Sequence, residues 1–294
     1  MSTEVFELNH VLSFAFIGGD LRQLRVISGL LSEGHSIKTF ALDASSLLGV
    51  LRCETLNDCI LDTDVVVLPL PYSSGSELLN AETTVYIRDI VAAMCQGQIL
   101  LAGRTDGYLK ALAELHQIRL ADYMEREEFS VLNTIPTVEG ALEIAMRETP
   151  YTIHGSTCLV MGYGRIGKLL SKSLFSLGAD THVSARKHSD LAWIKAQGLT
   201  GIKNQELEHV IGNYHIIFNT IPSTVLDYRL LSKIPNDSLI IDLASKPGGV
   251  DFDTAQELGK KVIWALSLPG KVAPQTAGDI MKDTIKNILE ELGV

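Results

Sequence analysis

Little in this sequence ties it to a membrane, a metal or a nucleic acid. The longest apolar runs, residues 11–17 and 60–70, are too short or are broken by Asp62 and Asp64, so no bilayer-spanning helix is expected. The first residues, Met1-Ser-Thr-Glu-Val-Phe-Glu, lack the basic stretch followed by an apolar one that marks a secretory signal, and a cytoplasmic chain is expected. Cys53, Cys59, Cys95 and Cys158 stand in apolar segments without Cys-x-x-Cys spacing or nearby histidines. Neither a disulfide framework nor a metal site is expected from them, because zinc ligands come in close pairs. The formal net charge is −10, with acids spread along the chain, which disfavours nucleic acid as a partner and obliges any anionic substrate to find a local basic pocket. No Ser-His-Asp or Cys-His set stands out.

What is present is a glycine turn in a telling context. An apolar run ends at Gly162, Gly164 and Gly167 follow in the spacing Gly-x-Gly-x-x-Gly, and Leu169, Leu170, Leu174 and Leu177 recur at helical spacing. This reads as strand, tight turn and helix, with a second strand at 181–185. Gly162 permits the turn, Gly164 lets the backbone approach a pyrophosphate, and Gly167 lets helix and strand pack closely. Arg165 and Ile166 complete the turn as cofactor-binding candidates, since the amides and dipole of a helix start favour phosphate. At the end of the second strand an NAD site carries an acid for the ribose hydroxyls. Ser184, Ala185, Arg186 and Lys187 stand there instead. Ser184 joins the candidates, and the two cations suit a 2′-phosphate, so NADP is expected over NAD.

With 294 residues, 46% of them hydrophobic, the chain can bury two cores. Strand and helix patterns alternate through both halves, with strands expected near 11–17, 36–42, 64–68, 99–102 and 118–121, then from 156 and 181 and at 215–218, 238–241 and 261–263. The fold class is α/β: two Rossmann-like domains with parallel sheets, joined by long helices, the C-terminal helix crossing back to the first domain. The expected organisation is a substrate-binding and catalytic domain over 1–135, completed by the helix at 275–294, a connecting helix over 136–150, and an NADP-binding domain over 151–270. Pro136 marks the start of the connector, because proline is tolerated in a first helical turn.

In open parallel sheets, ligands bind beyond the carboxyl ends of the strands. Further cofactor candidates there are Asn219, Thr220, Ile221 and Pro222 after one strand and Asp242 after the next. In the first half, Arg22 and Arg104 have the forked donors that suit carboxylates, and Thr134 and Thr137 offer hydroxyls at a helix start. Lys271 is a further anion binder. Asp20 is a candidate general base, although its stronger role is that of a helix cap, and Lys246 is the other candidate with proton-transfer chemistry.

The Gly-Gly-Asp-Leu-Arg start at 18–22, the connector Leu-Asn-Thr-Ile-Pro-Thr-Val-Glu-Gly-Ala at 132–141, the turn at 161–167 and the tail Leu-Pro-Gly-Lys-Val-Ala-Pro-Gln-Thr-Ala-Gly at 268–278 together resemble the A-subunit family of dipicolinate synthase. The resemblance covers nearly the whole chain. It implies NADP-dependent oxidation of a dihydro- or 4-hydroxytetrahydro-dipicolinate to pyridine-2,6-dicarboxylate in the mother cell of a sporulating bacterium. It also implies a partner, the flavoprotein-like B-subunit, and a homodimer is a further possible assembly. Two other readings stay open on the residues alone. One is a dehydrogenase of hydroxyacid or methylenetetrahydrofolate type, and the other is an NADP-binding regulatory subunit without chemistry of its own.

Overall fold

A computed structural model describes residues 10–73, 75 and 77–294. The chain divides into two compact units, the first running to Asn133 and taking up Ala273–Val294, the second spanning Thr134–Val272.

The first unit runs β1 (Ser13–Ile17), α1 (Leu21–Ser32), β2 (Ser36–Phe40), β3 (Val50–Arg52), α2 (Leu56–Ile60) and β4 (Val65–Val67). It continues with α3 (Ile87–Ala93), β5 (Ile99–Ala102), α4 (Gly107–Leu115), β6 (Arg119–Asp122) and α5 (Glu127–Leu132). Its six strands are parallel, in the order β3-β2-β1-β4-β5-β6. Past Ser13 the central strands β1, β4 and β5 are apolar at every position, because helices cover both faces. Phe14, Phe16, Val65 and Val67 pack on one side, and Ala15, Ile17, Val66 and Leu68 on the other.

The second unit opens with α6 (Thr134–Glu148) and β7 (Thr157–Met161), then α7 (Arg165–Ser176), β8 (Asp180–Ala185), α8 (His188–Ala196) and β9 (Thr200–Lys203). There follow α9 (Leu207–Val210), β10 (Ile216–Asn219), α10 (Tyr228–Leu231), β11 (Leu239–Asp242), α11 (Phe252–Glu257), β12 (Lys261–Trp264) and α12 (Leu268–Val272). The strand order, β12-β11-β10-β7-β8-β9, repeats that of the first sheet, and the strands are again parallel. The stretch expected as a connector is α6, which begins at Thr134, ahead of Pro136. Proline costs nothing in a first turn, where its N–H would lack a partner anyway. Val138, Ala141, Ile144 and Ala145 bury α6 against the second unit's own core.

The last helix, α13 (Pro274–Glu291), returns to the first unit and lies along α1. Its buried stripe, Ile280, Met281, Ile285, Ile288 and Leu289, joins the core that holds Phe14 and Val26. Such burial stabilises by about 2 kcal/mol per large aliphatic side chain. The helices approach closely because Gly278 lies against the Arg22 carbonyl and the Arg25 side chain, where a Cβ would collide. Arg25 grips Asp279 at 2.7 and 3.2 Å, and Glu33 at the end of α1 accepts from both Lys282 and Lys286 at 2.6 Å.

Candidate functional site

Each sheet reverses its direction of growth once, between β1 and β4 in the first unit and between β7 and β10 in the second. Ligands of open parallel sheets bind at the carboxyl ends beside that reversal. In the second unit the glycine turn stands there. Gly162 has a φ of +97°, a conformation that L side chains rarely adopt, and a Cβ on it would lie 2.5 Å from Thr220 Oγ1. A Cβ on Gly167 would run into the Gly162 carbonyl, so α7 can lie this close to its strand only with glycine at 167. Gly164 is the N-cap of α7; no side chain caps the helix, and a Cβ there meets nothing within 4 Å. A helix start without a side-chain cap suits an anion, because the amides and dipole there favour negative charge. Arg165 is exposed at the first helical position, and Ile166 packs part-buried on the core. Turn, open backbone and helix start fit a dinucleotide pyrophosphate.

The sequence candidates around this turn fall into two groups. Arg186 and Lys187 are exposed just past β8, and Lys187 gives no side-chain cap to α8. Pro222 is exposed, while Thr220 and Ile221 are half-buried; Thr220 Oγ1 donates to the Met161 carbonyl at 2.9 Å and links β10 to β7. By contrast Ser184, Asn219 and Asp242 are sealed inside. Ser184 offers its carbonyl to the Gly162 amide at 3.0 Å, and its hydroxyl is buried without a hydrogen-bond partner. Asn219 and Asp242 are bonded to each other at 2.8 Å. These three shape the site from below. Lys246 is exposed in the loop after β11, ahead of a cis bond to Pro247.

In the first unit, Asp20 caps α1. Its carboxylate accepts from the Arg22 amide at 2.9 Å, while Gln23 reaches back to the Asp20 amide at 2.9 Å. This is a capping box, with Gln23 in the third helical position. Arg22 closes on the same carboxylate through Nε at 3.0 and 3.1 Å and Nη2 at 2.7 Å, and bonds the Leu70 carbonyl at 2.5 Å. Its fork is therefore engaged within the chain. Arg104 follows Gly103 past β5 with a φ of +65°, and its side chain is exposed. Asp122 holds that left-handed turn by accepting from the Arg104 amide at 3.1 Å and the Thr105 amide at 2.6 Å. A non-glycine residue in this region stores strain that its surroundings must impose, as ligand-binding turns often do.

Thr134 is buried and Thr137 half-buried in the first turn of α6, and Lys271 is exposed on α12. Sequence alone points neither to Asp122, whose role is to bond loop amides, nor to the pair of Tyr72 and Asp106 at 2.6 Å. Burial would raise the Asp106 carboxyl, but hydrogen bonds from Tyr72 and the Leu109 and Tyr108 amides outweigh it and hold the group below the usual carboxylate range. Burial, then the Asp106 bond, pushes the Tyr72 phenol up. Tyr123, wholly buried and donating to the Leu68 carbonyl at 2.9 Å, is also pushed up by burial. Among the described residues, no three of His, Cys, Asp or Glu cluster to hold a metal, and no helix is long and apolar enough to cross a membrane.

Comparison with known proteins places this geometry in a family. Residues 13–124 match the N-terminal domain of the dipicolinate synthase A-subunit. The dipicolinate synthase A-subunit of Bacillus subtilis (strain 168) is 34% identical over 287 residues, 96% of this chain and 97% of the relative. The chain belongs to the dipicolinate synthase A-subunit family. A crystal structure of the dipicolinate synthase A chain from Bacillus subtilis superposes with a TM-score of 0.89 at 33% identity over 98% of both chains. The A-subunit structure from Bacillus halodurans gives 0.87 at 29% identity, over 95% of this chain and 99% of that one. A transhydrogenase from Sinorhizobium meliloti, 15% identical with a TM-score of 0.70 over 95% and 93%, shares the fold.

Proposed function

We propose that this chain is the NADP-binding dehydrogenase subunit of a dipicolinate synthase, oxidising a dihydro- or 4-hydroxytetrahydro-dipicolinate to pyridine-2,6-dicarboxylate. The observation that carries the reading is the uncapped, glycine-lined start of α7 in a chain of this family. The turn from Gly162 to Gly167, with Arg165 and Ile166, receives the pyrophosphate. Arg186 and Lys187 pair with the 2′-phosphate, because no acid stands at the end of β8 to claim ribose hydroxyls. The turns at 219–222 and after Asp242 border the nicotinamide end.

Bound NADP supplies the hydride acceptor. A dihydro-dipicolinate loses a hydride from one sp³ ring carbon and a proton from its neighbour and so becomes aromatic; the 4-hydroxytetrahydro form must in addition release its 4-hydroxyl with a neighbouring ring proton as water. The gain of aromaticity makes the step downhill, so the chain's main work is to orient the ring. Two carboxylates need two clamps. Arg104 is the foremost, because its turn is held by Asp122 and its side chain is exposed. Thr134, Thr137 and Lys271 supply the other donors, and Arg22 joins them only by giving up its bonds to Asp20 and the Leu70 carbonyl. Lys246 or Asp20 takes the proton; both are exposed, and Asp20 is already paired with Arg22. The substrate is thus a small dicarboxylate, and the working assembly includes a flavoprotein-like B-subunit, with a homodimer of this chain as a further element, in the cytoplasm of a sporulating mother cell.

The test is an assay of the purified chain with NADP and freshly formed condensation product of aspartate semialdehyde and pyruvate, with and without the B-subunit. Nicotinamide reduction and pyridine absorbance should rise together. Silence in both conditions, with NADP binding intact, would move the chain to another substrate or to a regulatory role. Replacing Arg186 and Lys187 by alanine should weaken NADP binding by roughly ten-fold or more and leave NAD nearly unchanged; equal losses would remove the 2′-phosphate assignment.

A further inference from the structure

Asn219 and Asp242 end two neighbouring strands, stand opposite each other in register, and are both fully buried. A carboxylate is tolerated in such a place only when its oxygens are occupied. Asp242 Oδ1 accepts from Asn219 Nδ2 at 2.8 Å and from the Ala244 amide at 3.1 Å, and Oδ2 accepts from the Gly249 amide at 2.8 Å. Asn219 Nδ2 also donates to the Ile221 carbonyl at 3.1 Å, and its Oδ1 accepts from the Ile221 amide at 3.2 Å. A side chain at 249 would run into both the Asn219 amide and the Ile221 carbonyl. One buried pair thus fixes the turn at 220–222 and both ends of the loop 243–249.

We propose that Asn219 and Asp242 are positioning residues, a brace that sets these two turns before any nucleotide arrives and holds Lys246 on the second of them. Neither side chain touches the cofactor; both act through the backbone they hold. The inference rests on the nucleotide reading above only for what the turns receive. Its geometry stands within the second unit alone.

The loop carries its own reporter. Trp264 donates Nε1–H to the Ala244 carbonyl at 3.0 Å, and its ring stacks on Phe252 with centroids 4.9 Å apart. The other tryptophan, Trp193, is 64% exposed on α8 and can be removed as Trp193→Phe. In that background Asp242→Asn puts an NH2 donor in place of one oxygen of a carboxylate that accepts from three donors through its two oxygens. Trp264 emission should then shift without nucleotide, and NADP affinity measured by calorimetry should fall at least ten-fold. Asn219→Ser should do the same more mildly. Should Asp242→Asn fail to fold, the unaltered chain still decides by amide exchange. The Ala244 and Gly249 amides should exchange as slowly as those of β11 with no NADP present.

Weakened binding with unchanged emission would make Asp242 a direct nucleotide contact and overturn the brace. So would unaltered binding and emission together, or Ala244 and Gly249 amides that exchange at loop rates until NADP is added. An unaltered chain that binds no NADP would instead sink the cofactor reading, while emission and exchange would still judge whether the pair shapes the loops.

Discussion

Two strand-to-helix turns occupy the same place in two sheets of the same strand order, and they treat the start of the helix in opposite ways. From β1 to α1 the chain supplies its own anion: Asp20 accepts the amide of Arg22, Gln23 closes the box, and Arg22 ties the cap to the Leu70 carbonyl. From β7 to α7 the cap is Gly164, without a side chain and with open space where one would be. Helix amides that already face a carboxylate disfavour a phosphate, whereas a helix start with no side-chain cap favours one. Topology therefore provides two possible ligand sites, and the residue at the cap position decides which of them suits a phosphate.

The sharpest way to break the comparison is to build the first solution into the second unit. Gly164→Asp has room for its side chain and adopts the cap conformation without strain, since φ is −81° there. NADP affinity should fall by roughly a hundred-fold, as a carboxylate takes the phosphate's place, while thermal stability holds or rises by a few tenths of a kcal/mol from the new cap. Calorimetry and melting together check it; retained affinity would mean that phosphate is held elsewhere. Gly167→Ala tests packing instead. Its methyl has no room beneath the Gly162 carbonyl, so stability should drop by about 1–3 kcal/mol and the turn should open. A melting temperature within a degree of the unaltered chain's would show that α7 can retreat freely.

The second turn was legible in sequence because each of its glycines answers to a separate steric demand within six residues, and the flanking strand and helix are strongly apolar. Of the capping box of the first, Asp20 was legible as a cap after a strand, whereas the return bond of Gln23 shows only in the structure. Two edge strands, β3 and β9, escape a reading by apolar runs: Val50–Arg52 and Thr200–Lys203 are short and mostly solvent-facing, and pairing with a neighbour makes them strands. Side-chain roles in the site were less legible still. Asn219 and Asp242 read as ligand-facing because they end strands, yet both turn inward, a choice made by the amides of Ala244 and Gly249 that no spacing rule reports. Asp122 is hidden for the same reason, since its partners are backbone N–H groups of a turn eighteen residues away.

Smaller effects test how the first unit secures its closed turn. Asp20→Ala removes the cap and leaves Arg22 without its carboxylate, which should cost about 1 kcal/mol and lower the melting temperature by a few degrees. No comparable loss is expected on changing Gly164, which caps nothing by side chain. At the other end of α1 the grip on α13 depends on pH. Burial raises the Glu33 carboxyl, but hydrogen bonds from Lys282 and Lys286 outweigh it, so its folded value lies below the ordinary 4.5. A carboxyl lowered in this way contributes stability that is fully present above 4.5 and is lost as pH falls through the folded value. Lys282 works in the opposite sense. Burial lowers its ammonium, the bond to Glu33 more than restores it, and the contribution persists up to the ordinary 10.5 and fades as pH rises through the higher folded value. Glu33→Gln should therefore be less stable than the unaltered chain at neutral pH, with the gap narrowing below pH 4.5, as read from denaturant midpoints across the acid range. A gap that stays constant down to the acid transition would show that Glu33 contributes by packing and hydrogen bonding alone, and that α13 is held to α1 by its apolar stripe and the close approach at Gly278.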